Sequence, residues 1–89
     1  MNKVIWKFEF ETNDVVEIQM PKHAEILYLN VQHNPCIWAL CNPSAQRETR
    51  VFRIYGTGSP ISQETPKTYI GSYHLMSGAL VFHVFEVKT

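Results

Sequence analysis

Apolar and polar residues alternate along most of this chain with a period of two, the spacing of strands that bury one face. Val4, Trp6, Phe8 and Phe10 fall on one side, and Lys7, Glu9 and Glu11 on the other. Thr12-Asn13-Asp14 supplies turn chemistry, since Asn and Asp tolerate left-handed backbone. The next run, Val15–Met20, points Val16, Ile18 and Met20 inward and Glu17 and Gln19 outward. The two runs together read as a hairpin. Pro21 then removes a backbone donor and ends the strand. Ile26–Gln32 resumes the alternation, with Leu27, Leu29 and Val31 on one face and Tyr28, Asn30 and Gln32 on the other.

Two later runs break the alternation by being apolar on both faces. Cys36–Cys41 reads CIWALC, and Leu80–Val87 reads LVFHVFEV. Both are expected to be central strands, covered on each side. A polar loop from Asn42 to Glu48, with room for one helical turn, leads to the stretch around which the chain is organised. There Thr49–Tyr55 alternates, with Phe52 and Ile54 inward and Val51, Arg53 and Tyr55 outward, and it runs into Gly56-Thr57-Gly58-Ser59-Pro60. The segment Gly56–Lys67 has no periodicity, two glycines and two prolines, so it is a surface loop of a length often tied to function. Thr68–Leu75 is a further strand, with Gly71 inside it marking a bulge or a close backbone approach. Met76-Ser77-Gly78 turns the chain back into Leu80–Val87. About seven short strands, mostly antiparallel, predict a single all-β domain over residues 1–89, built as a small sandwich or a partly open barrel.

Composition narrows what such a domain does. The formal net charge of +0 argues against a general nucleic-acid binder, which carries a basic excess, and offers little repulsion between copies. No stretch approaches the roughly 20 apolar residues that cross a bilayer, and charges begin at Lys3, which a signal peptide core does not allow. A cytoplasmic location follows as the expectation. Cys36 and Cys41, if they share a strand, lie roughly 16 Å apart and point to opposite faces, so they are read as reduced thiols. A sheet this small has edges to protect, which predicts a homodimer or larger assembly.

The candidate chemistry is that of binding. Glycines at 56 and 58 let a backbone present N–H groups to an anion, the Thr57 and Ser59 hydroxyls add donors, and Arg53 or Arg50 adds charge. The Walker lysine is missing and no helix follows, so this is no P-loop; the plainer account is a turn that needs positive φ. Tyr28, Trp38, Tyr55, Tyr69 and Tyr73 offer an aromatic platform, unless Trp38 is core and the tyrosines only pack across strands. The candidate ligand set is Arg53, Tyr55, Gly56, Thr57, Gly58 and Ser59, joined by Tyr73 and His74 from the strand beyond the loop. Metal-ligand spacings are absent, and His83 reads as a half-buried histidine bonded to a backbone group or a hydroxyl. The acids Glu9, Glu11, Glu17 and Glu25 sit on outward faces or in turns, so neither catalytic residues nor a cofactor are expected.

The segments MPKHAEILYLNVQ, CIWALCNP, RVFRIYGTGSPI, YIGSYHL and ALVFHVFEV, in this order, resemble an uncharacterised family of small tailed-phage and prophage proteins. One departure is Ser59, which stands where the family pattern has His after the second glycine, so a histidine-dependent role does not carry over. The resemblance implies a phage origin and a small accessory role, and it supplies no catalytic residue. The expected function is a non-enzymatic phage protein that holds a small anionic, nucleotide-type ligand, such as a host immune signalling molecule, away from its receptor. The alternative is an interaction module that inhibits or recruits a host protein, and a weaker one is a virion component.

Overall fold

The strand that begins at Val15 does not fold back on the one that begins at Val4. In the computed structural model, which describes residues 2–88, seven strands form: β1 (Val4–Glu9), β2 (Val15–Pro21), β3 (Glu25–Val31), β4 (Pro35–Cys41), β5 (Arg47–Gly56), β6 (Lys67–Leu75) and β7 (Leu80–Val87). They pair antiparallel into two sheets, β1-β4-β3 and β2-β5-β7-β6. The protein is therefore all-β and the two sheets stay open, a small sandwich rather than a closed barrel. The expected β1–β2 hairpin is replaced by a crossing from one sheet to the other, because each strand finds its partner far along the chain. Val4 pairs with Cys41, and Val16 with Phe52. The chain crosses again between β2 and β3 and between β4 and β5. Residues 42–46 make that last crossing with a β-turn closed by the Ala45 amide on the Asn42 carbonyl, not with a helix.

The inner faces follow the alternation closely. Val16, Ile18 and Met20 from β2, Phe52 and Ile54 from β5 and Val84 from β7 meet Ile37, Ala39 and Cys41 from β4, with Phe10 and Ala24 from the crossings. The two strands that read as apolar on both faces, β4 and β7, are both internal to their sheets. Cys36 and Cys41 are buried free thiols on opposite faces of β4, Cys41 in the core and Cys36 against Asn30.

Two bulges re-aim side chains where strict alternation fails. In β3 the register shifts between Ile26 and Tyr28, so Ile26 packs on the core and Leu27 turns outward, the reverse of the expected phase. In β6 the shift lies between Tyr69 and Gly71, which brings Ile70 onto the core and leaves Tyr69 outside. Gly71 is also a close approach: a Cβ there would stand 3.4 Å from Leu29 Cδ2, where the edges β3 and β6 lean on each other.

Two inward positions on β5 are charged, Glu48 and Arg50; Glu48, at the strand's start, accepts a hydrogen bond from the exposed His23 amide, and Arg50 lies deeper. Arg50 lies on the same face as Phe52 and is held by Glu86 of β7, with Nε 2.5 Å from Oε2 and Nη2 2.9 Å from Oε1. Its Nη1 donates to the Ala24 carbonyl at 2.7 Å, at the crossing into β3. The bidentate pair with Glu86 raises the Arg50 pKa further, against the opposing effect of burial.

Glu86→Ala leaves this guanidinium facing the core without its counter-charge. It is expected to cost about 2 kcal/mol in urea unfolding, whereas Arg53→Ala on the exposed face should stay within about 0.5 kcal/mol. The β6–β7 hairpin gives a second expectation. Ser77 (φ 55°) and Gly78 (φ 90°) occupy the two central positions of a turn closed by the Ala79 amide on the Met76 carbonyl. Ser77→Asn places a residue suited to left-handed backbone there, and should raise stability by up to about 1 kcal/mol, read as a rise of a few degrees in Tm.

Candidate binding cleft on the outer face of the four-stranded sheet

The outward residues of β2, β5, β7 and β6 line up in cross-strand rows. One row runs Val15, Arg53, Phe85 and Tyr69; beside it run Tyr55, His83 and Ser72. Phe85 sits between two tyrosines, 5.8 Å from the Tyr55 ring and 5.1 Å from the Tyr69 ring. Tyr69 is 53% exposed. The Arg53 guanidinium lies 6.0 Å from the Tyr55 ring centre. It has no hydrogen-bond or ion-pair partner among the described residues.

The loop between β5 and β6 borders this face. Lys67, the first residue of β6, donates from Nζ to the Ser62 carbonyl at 2.5 Å and the Thr65 carbonyl at 2.8 Å, which ties the far half of the loop down. Ser62, Thr65 and Lys67 then form one side of an open cleft of ≈ 400 Å³. Arg53 and Tyr55 form another, and Val15, Val51 and Val87 complete an apolar lining. Two cations, an aromatic face, hydroxyls and valines in one cleft suit a small anion that carries an apolar or planar part.

Of the residues expected to bind a ligand, the structure brings Arg53 and Tyr55 together here. The Gly56–Ser59 segment is a closed β-turn at the end of β5, with Gly58 at φ 88° and the Ser59 amide on the Gly56 carbonyl at 3.0 Å. The Thr57 amide donates to the Val81 carbonyl at 3.2 Å, and its hydroxyl lies 2.8 Å from His83 Nε2. Two of the four amides meant for an anion are thus bonded within the protein, and the turn packs toward β7, outside the lining of the cleft. His83 makes the hydroxyl contact its sequence setting suggests.

His74 is exposed and borders a different, shallow cleft with Tyr28, Asn30 and Ser72. Tyr73 faces the other way altogether. It is 4% exposed, packs edge-on against Phe10 at 6.0 Å, and shares a 2.6 Å hydrogen bond with Thr12 Oγ1. It is a core residue, remote from any ligand on the outer face. Arg50, the alternative to Arg53 as a source of charge, is paired with Glu86 instead. The five aromatics do not make one platform: Tyr55 and Tyr69 share this face, while Tyr28 and Trp38 pair on the outer face of the three-stranded sheet. Trp38 is not core. Its Nε1 donates to Asn30 Oδ1 at 2.8 Å, and Lys7 lies 5.9 Å from its ring.

Lys67, Ser62, Thr65 and Phe85 were not singled out from sequence. The signal for the first was present: Lys67 is the only cation between Gly56 and the start of β6. Among the described residues no helix is long and apolar enough to cross a membrane.

A family model described as a domain of unknown function, DUF7352, matches residues 1–89, and the chain belongs to that family. No curated protein and no solved structure matches it.

Burial pushes the Tyr73 phenol above its ordinary value, with the Thr12 bond opposing the shift, and burial likewise pushes the Cys41 thiol up against the pull of Arg47. Each group stays protonated in the fold at a pH where the unfolded chain has already ionised it. Their contribution is therefore whole below the unfolded pKa and is lost as pH rises through the folded one. Stability should fall above about pH 9–10. Tyr73→Phe should flatten the upper part of that fall, at a cost of about 1 kcal/mol at neutral pH, both read from urea midpoints across a pH series.

Proposed function

We propose that this protein binds a small anionic, nucleotide-type ligand in the cleft between β5 and the Ser62–Lys67 segment, and holds it without turnover. The observation that carries the reading is Arg53. A guanidinium on a sheet face, with no acidic partner among the described residues, stands over Tyr55 and faces a second cation at Lys67. A guanidinium matches a phosphate in shape and charge, and desolvation in a partly walled cleft strengthens the pairing. Tyr55 and the valines suit the planar part of a nucleotide.

The phage resemblance of the GTG turn and the VFHVFE strand fits an accessory protein made in the host cytoplasm. There, sequestering a host signalling nucleotide requires only affinity and abundance. A second reading, capture of a host protein, is favoured by the outer face of the three-stranded sheet, where Ile5 is 57% and Tyr28 62% exposed beside Trp38 and Leu40. On that face Lys7 and Glu9 neutralise each other at 3.6 Å beside Trp38.

The test is native mass spectrometry of gently purified protein with a panel of linear and cyclic nucleotides, followed by calorimetry on any hit. Binding should weaken at least roughly tenfold in Arg53→Ala, which removes a charge-assisted contact, and in Lys67→Ala, which removes both a cation and the tie that holds Ser62 and Thr65 beside the cleft. Tyr73→Phe should bind as the wild type. Equal binding by Arg53→Ala would refute the site.

A further inference from the structure

The sandwich has four strand edges, and they are not equivalent. β3 and β6 lean on each other at the Leu29–Gly71 contact. β2 ends at Pro21 and carries Glu17 as its only charge, so a second β2 would bring it no opposite charge. β1 is different. Its outward residues, with their flanks, read Lys3, Ile5, Lys7, Glu9 and Glu11: basic in the first half and acidic in the second. All five are exposed, and Val4 joins Ile5 among the exposed large apolar residues.

The backbone of that edge is aimed for pairing. The Phe10 amide donates to the Pro35 carbonyl at 3.0 Å, so even-numbered residues turn their N–H and C=O groups toward β4. The odd-numbered ones, Ile5, Lys7 and Glu9, turn theirs away from the sheet. An antiparallel strand docked on this edge must match odd with odd. We infer that the partner is a second copy of β1, related by a two-fold axis, which joins two three-stranded sheets into one of six strands. Antiparallel self-pairing sets the Lys3/Lys7 half of each copy against the Glu9/Glu11 half of the other. Lys7 opposite Lys7 is the register that like-charge repulsion disfavours. The contact is isologous and leaves no new edge of this kind to propagate. It also lies on the opposite sheet from the Arg53 cleft, so it stands or falls independently of ligand binding.

Edge pairing alone is a small interface, so the dimer should dissociate on dilution. The experiment is analytical ultracentrifugation over a concentration series, with native mass spectrometry of mixtures. Two variants make the edge uniform in charge: Glu9→Lys with Glu11→Lys, and Lys3→Glu with Lys7→Glu. Each alone should dimerise at least roughly tenfold more weakly than the wild type. Mixed in equal amounts, they should form a heterodimer identified by its mass. Circular dichroism controls for folding; should a double variant fail to fold, Glu11→Lys and Lys3→Glu, which lie outside β1, serve as the milder pair. A wild type that stays monomeric throughout the series, variants that dimerise as well as the wild type, or a folded mixture that forms no heterodimer would each overturn the inference.

Discussion

Arg50 stands on the inner face of β5, between Glu48 at the strand's start and the apolar run of Phe52 and Ile54. Alternation on β5 fixes this: with Phe52 and Ile54 on the inner face, residue 50 must share it. A guanidinium cannot shed its charge, so the fold has to neutralise it in place. Glu86 on β7 does so with a bidentate pair, and the remaining donor takes the carbonyl of Ala24, where the chain passes between sheets. One side chain thereby locks β5 to its sheet neighbour and to the crossing that leads into the opposite sheet. A methionine or leucine could fill the volume, but it could not fix the β2–β3 crossing by a hydrogen bond.

The same alternation gives Arg53 the opposite fate. Three residues along an odd step reverses the face, so two arginines on one strand stand on its two sides. Arg50 is consumed by structure, and Arg53 is left facing outward over Tyr55. The functional reading rests on this division. A sequence scan sees two equivalent basic residues next to a glycine turn; the sheet shows that only one of them is available to a ligand.

Strand positions and inward residues were legible because burial imposes period two on each strand separately. Val16, Ile18, Met20, Phe52 and Ile54 needed nothing more. Partner choice was not legible, since the turn chemistry at Thr12-Asn13-Asp14 serves a crossing as well as a hairpin. On β3 alternation places Leu29 and Val31 correctly, but it reverses Ile26 and Leu27, because the bulge there adds a residue that no local signal announces. At the site, Arg53 and Tyr55 followed from alternation, but Tyr73 did not. The bulge at Ile70 lies between it and Tyr69 and places the two tyrosines on opposite faces. The glycine turn drew attention for the freedom of its backbone, yet that freedom is used to close the turn, and Lys67 at the other end of the loop supplies the second charge.

A chain of this length with two thin sheets has little interior in which to build an enclosed pocket. Its remaining resource is the outer surface of each sheet, and the two surfaces differ in kind. The four-stranded sheet presents ordered rings, two cations and a loop that walls one side, the features on which the proposed binding of a small charged molecule rests. The three-stranded sheet presents apolar and aromatic side chains and an edge whose charges change sign halfway along, the features on which the inferred pairing of two copies rests. Because the two lie on different sheets, the inferred association along β1 would cover neither Arg53 nor Lys67. Under that proposal each copy would keep its own cleft, so that pairing would multiply the number of sites held together without remaking any of them.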